Sequence, residues 1–308
     1  MGDLPSTRTT TSRPFLNVGI DYGGPFVIKI SRNKTDKAYM CIFVCFSTRV
    51  VHLELVVDLS TAAFMRVLQR FIARRGKCAS IYSDNAKNFV GANNELREVA
   101  MLRNPEHHAK ISDFVAENSI KWIFIPPHSP HMGGFWEASI KSAKVHLRKI
   151  IGTTSLSYEE LYTILVQIEA CLNSKPLCPI SDDGTDLAVL TPGHFIIRVP
   201  LTSPPELDVS NTPINHLTRH QLLIQIRQHF WTRWFKEYLT QLQQRQKWTH
   251  TKVDIKVGTM VVLRDDNTSP LQWRLGRVID VHPGKDGLIR IVDVKTANGI
   301  LQRSIPKI

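Results

Sequence analysis

In the first sixty positions the apolar residues fall into short runs of strand length. Leu16–Asp21 (with a continuation), Ala38–Phe46 and Val50–Val57 are each bounded by polar or turn-forming residues, the pattern of strands rather than helices. The period then changes. Phe64, Val67, Leu68, Phe71 and Ile72 recur at helical spacing behind a capping Ser60 or Thr61, and Gly76 follows as a stop signal. Ala79–Ser83 and Lys121–Ile125 read as two more strands, the second stopped by Pro126-Pro127. Helices are predicted over 91–118 with a break near Pro105, from the Gly133-Gly134 loop to about Ile151, and over Tyr158–Leu172.

Strands first, then strands alternating with helices, define a mixed α/β domain. Residues 198–215 are rich in Pro, Ser and Thr, and a long helix with a stripe of Leu222, Ile226, Phe230, Trp234 and Leu242 follows. Beyond Val257 the runs Met260–Leu263, Arg277–Val281, Ile289–Val294 and Ile300–Arg303 alternate with Asp-Asp, Pro-Gly and Asn-Gly turns, which predicts a small antiparallel sheet or barrel. Trp273 and the valines and isoleucines there are expected to form its core. The expected organisation is an extension (1–14), an α/β core (15–197), a linker with a helical connector (198–250) and a small β domain (251–308).

Charge narrows the choice of partner. Lys and Arg total 39 against 27 acids, a net charge of +12, and such a surplus favours a polyanion, most commonly nucleic acid. No run is long and apolar enough to span a membrane, and no signal peptide is visible. The five cysteines include no C-x-x-C pair, so reduced thiols inside the cell are expected, with Cys41 and Cys45 as small apolar residues on one strand face.

Three acids stand at informative places. Asp21 closes the first apolar run, Asp84 follows the short strand Ala79–Ser83, and Glu137 opens the helix after Gly133-Gly134. Single acids at strand ends and helix starts are usually structural. Three converging carboxylates, however, suit hard cations such as Mg²⁺.

The words around these acids carry a resemblance. VGIDYGGPF around Asp21, IYSDNAKNFVGANNEL around Asp84 and IPPHSPHMGGFWEASIKSAK around Glu137 resemble, in this order, the integrase of BEL/Pao-type retrotransposons. NSKPLCPISDDGTDLAVLTPGHF (173–195) and the stretch 257–296 are similar to its later segments. The resemblance implies an RNase H-like five-stranded mixed sheet flanked by helices, then a linker helix and an SH3-like barrel. It further implies a D,D,E triad of Asp21, Asp84 and Glu137, catalytic and metal-binding, with two Mg²⁺ or Mn²⁺ ions when DNA is bound. The implied reaction is 3′-end processing and strand transfer on double-stranded DNA by a homo-oligomer in the nucleus. The alternative is an inactive or domesticated DNA-binding remnant. Asp84 and Glu137 are 53 positions apart, longer than in retroviral integrases. Glu117, 33 positions after Asp84, precedes the strand Lys121–Ile125, whereas the family's third acid follows that strand. The family's His-His-Cys-Cys zinc segment has no counterpart here, so no zinc site is expected. Ala86 and Arg198 stand where glycine is commoner in the family, and Ser304 where proline is.

Around the helix after Gly134, Lys141, Lys144 and Arg148 project within about 40° of Glu137. Trp136, Ile140, Ala143, Leu147 and Ile150 share an adjoining apolar sector. The three cations are expected DNA-phosphate contacts, which position a duplex without reading its sequence. His131 in the preceding loop and Asn85 beside the second acid are further candidate DNA contacts. Arg264, Arg274, Arg277, Lys285, Arg290 and Arg303 make the C-terminal segment basic, a second expected DNA-binding surface.

Overall fold

The structure is a computed structural model that describes residues 6–102, 120–126, 143–152, 154–242, 255–265, 268–285 and 288–308. Glu137, Lys141 and His131 lie outside these residues. Packing divides the chain into two compact units, Met1–Glu169 and Ala170–Ile308.

The first unit is built on one mixed sheet. After the helical turn α1 (Ser6–Thr9), β1 (Asn17–Ser31), β2 (Lys34–Cys45) and β3 (Val51–Val56) form an antiparallel meander. On the other side of β1, β4 (Ser80–Ser83) and β5 (Lys121–Phe124) add in parallel, giving the order β3-β2-β1-β4-β5. A short β6 (Leu156–Ser157) pairs with the far half of β1. Helices α2 (Thr61–Arg75), α3 (Lys87–Leu102), α4 (143–151) and α5 (Tyr158–Asn173) accompany the sheet. The mixed sheet with helices agrees with the α/β expectation.

Local chemistry sets these elements. Ser60 caps α2 by accepting a hydrogen bond from the Ala63 N–H at 3.1 Å, and Gly76 ends it at φ 85°, its N–H donating to Ile72 O. Between those stops Phe64, Val67, Leu68 and Phe71 are buried, each worth about 1.5–3 kcal/mol against exposure. Phe71 stacks on Phe43 of β2 at 4.1 Å between ring centroids. The continuation expected after Leu16–Asp21 runs through Gly23-Gly24-Pro25, where a register shift between Gly23 and Phe26 absorbs the irregularity and pairing with β2 resumes.

In the second unit, a small hairpin of β7 (Cys178–Pro179) and β8 (Val189–Leu190) precedes α6 (His194–Ile197). Arg198 ends α6 at φ 65°, the left-handed conformation that favours glycine. The long helix α7 (Arg219–Leu242) buries Leu222, Ile226, Phe230 and Trp234 as expected. Leu242 is instead 47% exposed, and Leu239 takes the inward place. No described helix is long and apolar enough to cross a membrane.

The C-terminal strands β9 (Met260–Val262), β10 (Leu275–Pro283), β11 (Ile289–Thr296) and β12 (Gly299–Ser304) form an antiparallel sheet ordered β12-β11-β10-β9. Among the described residues this sheet is open, with no β9–β12 ladder; Arg264 N–H donates to Lys307 O where a barrel would close. Its core is Val261, Leu263, Val278, Val292 and Val294. Trp273 is not part of it, contrary to the sequence reading. Its ring packs against Trp231, Trp234, Phe235 and Tyr238 of α7, and its indole N–H donates to Ser174 Oγ at 3.0 Å.

Candidate active site

The site begins with a register. β1 and β4 run parallel with Asn17 opposite Ser80, Val18 opposite Ile81 and Gly19 opposite Tyr82. Two residues further on stand Asp21, still within β1, and Asp84, one past the end of β4, so the parallel register carries both toward the same end of neighbouring strands. Asp21 is not at the end of its strand, as the sequence suggested, since it still pairs with Ile42 of β2. What ends beside it is the ladder to β4, and the edge thus opened faces a cleft.

Each carboxylate is held by its own turn. Asp21 Oδ1 accepts the Tyr22 N–H at 2.6 Å, and Asp84 Oδ1 accepts the Ala86 N–H at 3.1 Å. Beneath Asp84, Trp122 of β5 donates its indole N–H to the buried Ser83 hydroxyl at 2.9 Å. Asn85, a candidate DNA contact in sequence, donates its amide to Ile125 O at 2.8 Å, tying the β4 turn to the end of β5. Asn88 is buried. Burial pushes the Tyr22 phenol well above the ordinary tyrosine range, so it forms a neutral wall.

Helix α4 supplies the positive charge. Ala143 and Leu147 are buried, which turns Lys144 and Arg148 toward β1. Lys144 Nζ lies 2.7 Å from Asp21 Oδ2, and Arg148 donates to Gly24 O at 2.8 Å. Gly23 makes the first contact possible, because a Cβ there would sit 2.8 Å from Lys144 Cγ. Asp21, Gly23, Gly24, Lys144, Arg148 and Lys149 line a cleft of about 640 Å³. Lys149 and Gly23 escaped the sequence reading, although the Gly23-Gly24 pair was a visible signal of close approach.

The donor chemistry fits a hard divalent cation. Asp21 and Asp84 offer carboxylate oxygens on adjacent strands, and the Lys144 ammonium against Asp21 Oδ2 shows that the place attracts positive charge. Such oxygens are the usual ligands of Mg²⁺.

The expected basic surface of the C-terminal sheet needs one correction. Arg277 is only 5% exposed and donates to the carbonyls of Gly258, Ser181 and Asp186. Its guanidinium pins loops and does not face a duplex. Arg274 is paired with Asp265.

Residues 218–308 match a family of unknown function, DUF5641. A search of curated proteins finds no match. Among solved structures, the chain is similar to the simian T-cell lymphotropic virus intasome in complex with PP2A regulatory subunit B56 gamma. That similarity is 12% identity and a TM-score of 0.39 over 95% of this chain and 77% of that one. It is also similar to the catalytic core domain of BIV integrase (14% identity, TM-score 0.36, 60% of this chain and 95% of that one). A third is the HTLV-2 integrase catalytic core domain in complex with magnesium (15% identity, TM-score 0.28, 46% of this chain and 75% of that one). All three TM-scores are low, and the functional reading rests on the chain's own residues.

Proposed function

We propose that the chain is the catalytic core and C-terminal region of a BEL/Pao-type retrotransposon integrase, with an RNase H-like core and an SH3-like C-terminal domain. The observation that supports the reading is the parallel β1–β4 register, which brings Asp84 to the same end of the sheet as Asp21, itself in a cleft lined by Lys144 and Arg148. Asp21, Asp84 and Glu137 are the carboxylates that would hold Mg²⁺ or Mn²⁺. When bound, a pair of such ions activates an attacking oxygen and neutralises a leaving one.

The chain's other residues position the DNA. Lys144, Arg148 and Lys149 offer cations to phosphates of double-stranded DNA lying in the cleft, and Lys141 is expected to join them from its spacing in the sequence. In end processing, water cleaves a phosphodiester near the element's end. In strand transfer, the exposed 3′-hydroxyl forms a new P–O bond with a target phosphate, and the target's own 3′-oxygen leaves as a hydroxyl. No side chain is the nucleophile, so no protein–DNA bond forms. The working state is a homo-oligomer acting in the nucleus.

The test is strand transfer on a pre-cut DNA end with Mg²⁺ or Mn²⁺, comparing the chain with Asp84→Asn and Glu137→Gln. Product from the parent and none from either variant supports the proposal. Product from Asp84→Asn overturns it. DNA binding without product from any form identifies the inactive DNA-binding remnant instead.

A further inference from the structure

The outer face of the C-terminal sheet carries a second cluster of metal-ligating groups, remote in sequence from the triad. Asp280 and His282 lie on β10 and Asp293 on β11, and one ligand atom from each falls within 4.8 Å of the other two. A bulge builds the arrangement. Val278 and Asp280 are two apart and would ordinarily share the core face, but the register shifts between them. Val278 stays buried while Asp280 is turned outward, as bulges do when they re-aim a side chain. Asp280 then stands directly opposite Asp293. Two like charges facing each other across an antiparallel pair are destabilising unless a cation joins them.

His282 supplies the third ligand atom: its Nε2 lies 3.0 Å from Asp293 Oδ2, an ion pair when the imidazole is protonated, on side chains 40% and 25% exposed. Ligand atoms on a tetrahedral zinc at about 2.0–2.1 Å sit roughly 3.3 Å from each other, close to this separation. The other oxygens are already engaged. Gln302 of β12 donates to Asp293 Oδ1 at 3.1 Å, and Val281 N–H donates to Asp280 Oδ1 at 2.8 Å. Such outer partners orient ligating carboxylates.

We infer that Asp280, His282 and Asp293 form a binding site for a divalent transition ion of the zinc class, with water completing the shell. One imidazole nitrogen with two carboxylate oxygens favours such an ion over Mg²⁺. The site clamps β10 to β11 and is independent of the proposed catalytic ions. It runs against the expectation that the chain has no zinc site.

The experiment is equilibrium dialysis of the full chain against Zn²⁺ with excess Mg²⁺, repeated with Co²⁺ to read the visible absorption of the coordinated ion. The expected result is one Zn²⁺ per chain, undisturbed by Asp84→Asn. In His282→Ala and Asp280→Asn affinity should fall by more than the roughly 10–100-fold that loss of an outer partner costs, and Gln302→Ala should fall within that range. Asp280→Asn changes an exposed side chain, and circular dichroism of each variant reports whether it is folded. No Zn²⁺ on the parent chain, retention by folded His282→Ala, or loss in Asp84→Asn would each overturn the site.

Discussion

Two charged regions of the first unit are built from the same residue types and end in opposite states. Under β3, Glu54 is 1% exposed and accepts Arg70 at 2.7 Å and Arg74 at 2.9 Å. His52 lies between Glu54 at 3.3 Å and Glu169 at 3.4 Å, and Glu169 takes Arg75 at 2.7 Å. The two acids and the imidazole there are at most 13% exposed, and Arg70, Arg74 and Arg75 answer them. In the cleft, Asp21 and Lys144 are each about a quarter exposed, Asp84 is exposed, and Arg148 spends its hydrogen bond on a backbone carbonyl. The difference separates charge used to hold structure from charge kept for a ligand. A sealed ion pair is costly to break, whereas an open one contributes little.

Removing one carboxylate from each region breaks the comparison most directly. Glu54→Ala removes the buried acceptor shared by Arg70 and Arg74, while His52 keeps Glu169 and Arg74 keeps Tyr162, and chemical denaturation should show a loss of about 2–3 kcal/mol. Asp21→Asn should change stability by less than about 1 kcal/mol, while strand transfer falls to background. Equal stability losses in the two variants would erase the distinction.

Acidity sharpens it further. Burial alone would lower the His52 pKa, but hydrogen bonds to Glu169 and Glu54 outweigh it and hold the imidazolium above its ordinary 6.5, with Arg75 opposing. Burial alone would raise Glu54, and hydrogen bonds from His52 and Arg70 outweigh that to hold it below its ordinary 4.5. A raised histidine stabilises the fold fully below 6.5, and this is lost as pH rises through its folded value. A lowered carboxylate stabilises above 4.5, and this is lost as pH falls through its folded value. The melting temperature should therefore peak between these limits, and His52→Gln should remove much of the alkaline decline.

The smallest expected effects belong to the cations of the cleft. Lys144→Ala should reduce the slope of log K against log salt for duplex binding by about 0.9, one phosphate's share. Gly23→Ala, by pushing the Lys144 stem aside, should produce part of that change without removing a charge. An unchanged slope in Lys144→Ala would remove it from the DNA path.

The sequence revealed what periodicity encodes. The α2 stripe from Phe64 to Ile72, the meander of β1 to β3 and the short β4 before Asp84 are all visible in apolar spacing. It misjudged places where a distant partner decides. Arg277 looked like a surface cation because a buried guanidinium is recognisable only by the carbonyls of Gly258, Ser181 and Asp186 around it. Trp273 looked like sheet core because its partners, Trp231 to Tyr238, lie on a helix well before it in the chain. Asp280, His282 and Asp293 were unreadable as a set, since one bulge determines whether Asp280 shares a face with the other two.

The position of β3 gives its buried polar residues another consequence. β3 is an edge of the sheet, and an uncovered edge invites another strand to add. All six of its residues are nevertheless buried, His52 and Glu54 among them. A slip of one residue would exchange Leu53 for Glu54 at the point where Arg70 and Arg74 converge, leaving both guanidiniums against hydrocarbon. The same slip would turn the Glu54 carboxylate to the face now filled by Leu53 and Leu55. Inward-pointing charge on an outermost strand thus acts as a register lock, penalising misalignment and intermolecular strand exchange while the meander assembles.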